Sequence, residues 1–327
     1  MRHHIPAAAI VTLTALSACL AGTDAVAHGF AGKRFFPATL TTDDPFMADE
    51  LSLPTVSTIR TPGAGDEPGA RDTEISAELA KRITRDFGVS IAERYAVLSP
   101  DGGPTQYGWG NVEMQLKYQF FTSEEHEAIL SFGTAFEIGG TGAQRIGADR
   151  FNTVTPAVFF GKGFGDLPDG LSYLKPLAVT GTLGGAIPLR SSSSRTIVDE
   201  DTGSIMLGRE QHSDTIQYGF AVEYSLPYLQ SFVRDIGLKA PFNRLIPLVE
   251  FAFESPVDRG GGGTTGTINP GIVWAGQYFQ LGIEAIFPVN ERTGHNVGVI
   301  AQLHFFLDDL FPQTLGRPIF DRPLISW

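Results

Sequence analysis

Residues 110–121 alternate strictly. Val112, Met114, Leu116, Tyr118 and Phe120 share one side, and Asn111, Glu113, Gln115, Lys117 and Gln119 share the other. The same period returns in 214–226 (Ile216, Tyr218, Phe220, Val222, Tyr224, Leu226), in 277–287 (Phe279, Leu281, Ile283, Phe287) and in 295–307 (Val297, Val299, Leu303, Phe305). Successive side chains of a strand point to opposite faces, so the pattern predicts strands with one apolar and one polar face. A weaker version predicts strands over 72–81, 86–95, 128–139, 151–163, 174–188, 244–255 and 265–275. With a first strand over 50–58 the total is twelve.

Two architectures fit twelve such strands. A soluble sandwich turns the apolar face toward a second sheet. A transmembrane barrel turns it toward lipid, and the polar face lines a lumen. The segments run about 10 to 13 residues, the length a tilted strand needs to cross a bilayer, where sandwich strands run about five or six. Tyr118, Phe120, Phe251, Phe253, Trp274 and Phe287 fall near strand ends, as aromatic girdles do. The intervening segments also alternate in length. Those at 59–71, 96–109, 140–150, 190–213, 256–264 and 288–294 are long and rich in Gly, Ser, Pro and Asp. Those at 82–85, 122–127, 164–173, 227–243 and Gly276 are mostly short. Long outside and short inside is the bacterial pattern. The expected fold is all-β, a closed antiparallel transmembrane barrel over 50–307. The stretch 227–243, with Leu229, Phe232, Arg234, Ile236 and Lys239, reads equally as an amphipathic piece along the inner interface or as an ordinary loop.

The N-terminus supplies the route to that membrane. Arg2, His3 and His4 precede a short apolar run from Ala7 to Leu16, and Ala25-Val26-Ala27 is a small-x-small cleavage site. Residues 1–27 therefore read as an export signal. The rival is a lipoprotein signal at Leu16-Ser17-Ala18-Cys19. Residues 28–49 are then an N-terminal periplasmic segment and 308–327 a C-terminal periplasmic tail. Asp43-Asp44-Pro45 reads as a turn.

Composition narrows the chemistry. Of the 327 residues 36 are acidic and 24 basic, and the net charge of −12 excludes nucleic acid as the main partner. A single cysteine, Cys19, excludes an internal disulfide and a cysteine-based zinc site. His28, His126, His212, His295 and His304 are dispersed without metal-ligand spacing, and no cofactor is implied. If the apolar face meets lipid, the lumen is lined by Glu78, Glu113, Lys117, Glu137, Glu223, Glu250 and Glu284. Excess carboxylate there favours cations. In a narrow twelve-stranded lumen the same charges also read as interior filling. A plugged structural or sensing barrel, acting through loop 190–213, is the alternative. A lipid hydrolase is the third reading, with His212, Ser213 and Asp214 at the rim, but adjacent residues diverge on a strand and no G-x-S-x-G elbow occurs. An enzyme is not expected.

Two stretches carry a family resemblance. One runs from His28-Gly29-Phe30 through Arg34-Phe35-Phe36-Pro37-Ala38-Thr39-Leu40 and Asp43-Asp44-Pro45-Phe46 to Asp49-Glu50-Leu51-Ser52-Leu53-Pro54. The other joins His304-Phe305-Phe306-Leu307-Asp308-Asp309 to Phe311-Pro312 and Gly316-Arg317-Pro318-Ile319-Phe320. Together they resemble a family of proteobacterial outer-membrane β-barrel proteins of unassigned activity, similar in turn to transporters of the meta-pathway phenol-degradation type. The resemblance implies the outer membrane and passage of a small solute, apolar or aromatic, and carries no site residue. Outer-membrane lipid and the barrel-assembly machinery are the partners it implies. The chain departs from a typical barrel end, because Trp327 follows Pro323, some twenty residues beyond the last strand.

Overall fold

The structure, a computed structural model, describes residues 29–63, 68–198, 205–258 and 262–320. The expected signal with Cys19, and His28 and Trp327, lie outside them. All twelve expected strands form. They are β1 (Glu50–Thr61), β2 (Ala70–Arg82), β3 (Phe87–Pro100), β4 (Glu113–Ser123), β5 (Ala128–Glu137) and β6 (Thr153–Gly163). Then come β7 (Leu177–Pro188), β8 (Thr215–Tyr224), β9 (Leu245–Pro256), β10 (Thr265–Ala275), β11 (Phe279–Pro288) and β12 (Gly298–Phe306). Each pairs antiparallel with its sequence neighbour, and β12 pairs with β1, from Val299 opposite Thr58 to Phe306 opposite Glu50. The sheet is a closed barrel of twelve strands. No helix among the described residues is long and apolar enough to cross a membrane.

The apolar face points out. Phe220, Leu183 and Leu281 are exposed on the barrel wall rather than shielded between two layers, which removes the sandwich. Phe220 stacks on Phe251 across β8–β9 with ring centroids 4.5 Å apart, and Tyr218 stacks on Phe253 at 5.3 Å. Such outward cross-strand pairs stiffen the lipid face. The register shifts in two places, at Ser52–Thr55 of β1 against both its neighbours and within β4. The β4–β5 register shifts between Gln119 and Phe121, and both Phe120 and Phe121 are exposed. A bulge of this kind changes which face the following side chains meet.

The two ends of the barrel differ. The long-loop end carries a hairpin of Ser192–Val198 and Ile205–Gln211 within 190–213, and a short strand Gln106–Trp109 paired to β3. At the short-turn end, 225–244 is helical over Leu226–Tyr228 and Leu229–Val233 and leaves Phe232, Ile236 and Phe242 exposed. The residues after β12 fold back under the barrel as far as described: Phe320 N–H donates to Ile83 O at 2.8 Å, and Arg82 Nη2 donates to Gly316 O at 3.1 Å.

The lipid face gives a direct test. Leu183 lies mid-strand between Val158 and Tyr218 and faces out. Leu183→Arg is expected to lower folding stability in phospholipid vesicles by about 2–4 kcal/mol, read by urea titration of tryptophan fluorescence. An unchanged midpoint and slope would place this side chain away from lipid.

Candidate functional site: the lumen and its plug

A twelve-stranded sheet closes around more space than its own side chains fill. The chain fills it with its own N-terminus. The sequence expectation put 28–49 in the periplasm ahead of the barrel. The structure brings 29–49 into the lumen, where Phe36, Ala38, Leu40, Phe46, Met47, Ala48 and Asp49 are buried. A two-strand hairpin, Phe30–Ala31 against Arg34–Phe35, stands at the short-turn end. The chain then climbs to an apex at Asp43 and returns to Asp49. The Asp43-Asp44-Pro45 turn forms that apex, closed by Phe46 N–H donating to Asp44 Oδ1 at 3.0 Å.

Both feet of this plug are clamped by charge. Arg34 is fully buried and donates from Nε to Glu127 Oε2 at 3.1 Å, from Nη1 to Pro176 O at 2.9 Å, and from Nη2 to Lys175 O. Its guanidinium lies 3.9 Å from the Tyr228 ring centroid, and Tyr228 donates to Glu127 Oε1 at 2.9 Å. Burial, and then the bond to Glu127, push the Tyr228 phenol up to about 12, so it stays a donor. At the other foot Asp49 accepts from Lys81 Nζ at 2.7 Å, Arg82 N at 2.8 Å and Arg82 Nε at 2.9 Å.

Between the feet, wall carboxylates and amides hold the backbone. Glu250 Oε1 accepts from Leu40 N at 2.6 Å, and its Oε2 accepts from Thr41 N at 3.0 Å, Thr42 N at 2.7 Å and Thr42 Oγ1 at 3.0 Å. Three consecutive backbone N–H groups make a nest for an anion, and the wall supplies that anion. Thr41 Oγ1 donates to Glu284 Oε2 at 3.4 Å and accepts from Asn269 Nδ2 at 2.7 Å. Gln280 takes both polar groups of Ala38, accepting from N at 3.2 Å and donating to O at 2.6 Å. On the far wall Lys117 Nζ donates to Asp44 O at 2.9 Å, Ser131 Oγ to Pro45 O, and Met47 N to Gln119 Oε1 at 3.3 Å. Leu40 packs on inward-facing Leu248, Val273, Ile286 and Ile300. The inner face is therefore part apolar, which strict alternation of polar-in residues did not anticipate.

The seven expected lumen residues fall into three places. Glu223, Glu250 and Glu284 are almost fully buried, Glu223 accepting from Thr180 Oγ1 at 3.2 Å, and the latter two lie against the plug. Glu113 and Glu137 face a cavity of about 920 Å³ at the long-loop end, whose floor is Thr41, Thr42 and Asp43. Glu78 and Lys117 line a second space of about 170 Å³ between plug and wall, which shares Thr41, Thr42 and Asp43 with the first. Sequence reasoning missed the plug and the residues that hold it. One signal was present: inward-facing glycines. A Cβ at Gly219 would stand 2.6 Å from Thr42 Cγ2, and one at Gly282 would stand 2.5 Å from Leu40 Cδ1. Each glycine clears a groove for the plug.

At the rim, His212 Nε2 is 3.0 Å from Ser193 Oγ, its ring lies against Phe151 with centroids 3.9 Å apart, and Asp214 N–H donates to Asp258 Oδ2 at 3.1 Å. The His212–Ser213 couple that a hydrolase would need is not formed, because the imidazole turns to the neighbouring hairpin strand. No group of three or more His, Cys, Asp or Glu among the described residues is arranged to hold a metal ion.

No protein-family model matches the chain, and no curated protein does. Among solved structures the chain is similar to an outer membrane channel from Pseudomonas putida F1, with TM-score 0.56 and 10% identity over 83% of this chain and 99% of that one. It also aligns with the KdgM porin (TM-score 0.44, 9% identity, 78% and 98% covered) and with the TodX deltaS2S3 mutant monoaromatic hydrocarbon channel (0.38, 10%, 78% and 87%). Likeness at such identity shows the fold. With the closed sheet and the lipid-facing wall, it makes the chain a bacterial outer-membrane β-barrel.

Glu250 is the centre of the plug's attachment. Glu250→Ala removes four hydrogen bonds to one carboxylate, each of a type contributing about 1.5–3 kcal/mol. The amides of Leu40, Thr41 and Thr42 are expected to exchange with deuterium at least about tenfold faster, with strand amides of β4–β7 unchanged. Equal protection in the variant would show that the nest does not hold the plug.

Proposed function

We propose that the chain is a passive outer-membrane channel for a small polar solute of positive charge, entered from the long-loop side through the acid-lined vestibule and narrowed by the plug. The observation that carries this reading is the space left beside the plug: a vestibule of about 920 Å³ and a chamber of about 170 Å³ lie on either side of Thr41, Thr42 and Asp43, so the plug narrows the lumen without filling it. The lining supports the charge. Asp43, Glu113, Glu137, Asp149 and Glu254 face the vestibule, and no lysine or arginine lines it among the described residues. Carboxylates focused in a low-dielectric cleft raise the local cation concentration and repel anions.

This reading moves the selective charges. Glu250 and Glu284 belong to the plug contact, and the vestibule acids carry the preference. It also departs from the apolar or aromatic solute implied by resemblance, because five carboxylates and several threonines stand among the apolar residues of the vestibule and offer hydrogen bonds to a charged solute. A second reading, a closed barrel that acts through its outer loops, draws on the number of bonds holding the plug. The same experiment separates the two.

In planar bilayers the folded chain is expected to give small, cation-preferring steps. Deleting 37–48 should raise conductance several-fold. Full-length Glu250→Ala, which keeps every other plug contact, should raise open probability. Glu113→Gln with Glu137→Gln should move the reversal potential in a salt gradient toward zero. A heat-modifiable, correctly folded deletion variant that conducts no better than the parent would defeat the channel reading.

A further inference from the structure

The plug is not held evenly. Its climbing limb is bonded to β9, β10 and β11 through Glu250, Asn269 and Gln280, and its descending limb to β4 and β5 through Lys117, Gln119 and Ser131. Above the contacts of Met47 with Gly88 and of Asp49 with Lys81 and Arg82, a chamber of about 170 Å³ separates it from β1, β2, β3 and β12. One water needs only roughly 10–15 Å³ of such space, so the chamber admits a small solute with part of its hydration shell.

The charges around this chamber are unbalanced in one direction. Asp43, Asp44, Glu50 and Glu78 line it, against Lys117 and His304. Two of the acids are matched. Lys117 Nζ lies 3.9 Å from Asp44 Oδ1, and His304 Nε2 lies 3.3 Å from Glu50 Oε2. Asp43 accepts from a neutral amide, Gln115 Nε2, at 3.0 Å, and Glu78 from the Ser90 hydroxyl; neither forms an ion pair within 4 Å among the described residues, and the Lys117 ammonium is shared among all four acids. Arg94, on the neighbouring strand, is paired with Glu74.

The barrel register continues the acid row outward. Glu78 stands opposite Ala92, Ala92 opposite Glu113, and Glu113 opposite Glu137, so three carboxylates lie on one row across β2 to β5. Like charges directly opposite destabilise a sheet. Glu113 and Glu137 oppose each other with only Asn111 Nδ2, 2.7 Å from Glu137 Oε1, between them and open space. A second observation is separate from the acids. Gln302 lines the chamber at 9% exposure, donates from Nε2 to Thr55 Oγ1 at 3.2 Å, and leaves its buried Oε1 without a donor. A buried carbonyl oxygen without a donor is costly, and a cation removes the cost.

Resting on the channel reading, we infer that the chamber is a binding site for one small monovalent cation, an alkali ion or a compact alkylammonium, held by Glu78, Asp43 and the Gln302 carbonyl as it passes beside the plug. The row from Glu137 through Glu113 to Glu78 feeds the site from the vestibule. Lys117, pinned over the Phe159 ring at 4.7 Å and bonded to the plug, marks its edge.

Two measurements test the site. Thallium(I), a potassium substitute, should bind the detergent-folded protein with fast-exchange broadening of its magnetic resonance line. Methylammonium should displace it and tetraethylammonium should not. Glu78→Gln, and separately Asp43→Asn, should weaken that binding at least about fivefold with barrel mobility on gels unchanged. In bilayers Glu78→Gln should cut the cation-to-anion permeability ratio about threefold while current persists. Current that flows in the parent with thallium binding equal in parent and Glu78→Gln overturns the site and spares the channel. Thallium binding lost in Glu78→Gln, with no current from the parent in any salt, keeps the site and overturns the channel. Displacement by tetraethylammonium as readily as by methylammonium would place the ion in the vestibule and overturn the chamber assignment.

Discussion

A backbone amide or carbonyl at membrane depth has no water to bond, and every other feature of this molecule follows from satisfying that requirement. The pairing of β12 with β1 closes the ladder so that no strand edge meets lipid. Closure fixes which side chains face in, because a strand's faces cannot be exchanged without a slip of register. It also fixes a lumen wider than twelve strands' own side chains fill. The barrel must hold water there, or chain.

It holds both. Carboxylates on a wall without water need donors, and the cheapest donors are backbone N–H groups that themselves lack partners. Leu40, Thr41 and Thr42 offer three in a row, and Glu250 takes all of them. The exchange satisfies both sides at once: an extended segment without a sheet partner, and an anion removed from solvent. At the feet of the plug the same logic runs with side chains, Arg34 to Glu127 and Asp49 to Lys81 and Arg82. Removing one partner of such a buried pair costs about 3–5 kcal/mol, because the other charge stays behind. The plug therefore belongs to the folded barrel as fully as any strand. Above the Asp49 foot, on the side of β1–β3 and β12, the lumen stays open as a polar chamber.

The twelve strands were legible because lipid imposes a period of two on every one of them. Phe220, Leu281 and most other outward residues obey it, and length and loop asymmetry then distinguished a barrel from a sandwich. The same parity is what put Glu113 and Glu250 among the candidate lumen residues. What could not be read was their division. Glu113 and Glu250 look alike in sequence, each an inward glutamate among apolar outward neighbours. One faces open space and the other is sealed under Thr41 and Thr42, because of a segment some seventy and two hundred residues away along the chain. Local pattern holds no information about such contacts. The bulge at Gln119–Phe121 escaped for a related reason, since two consecutive phenylalanines satisfy lipid in either register.

By itself the sequence determined the class of solvent the fold must meet: alternating faces, strands long enough for a bilayer, long loops at one end and short turns at the other, and an excess of carboxylate on the inner side. Those are one-dimensional properties, each set by a residue and its neighbours two places away. Only the tertiary structure decided what the inner side encloses. The placing of 29–49 inside the barrel depends on inward glycines on separate strands, on Glu250 and Gln280 meeting one short stretch of backbone, and on Arg34 finding Glu127 across a turn. These partners come together only once the sheet has closed, because closure alone brings strands far apart in sequence around a common axis.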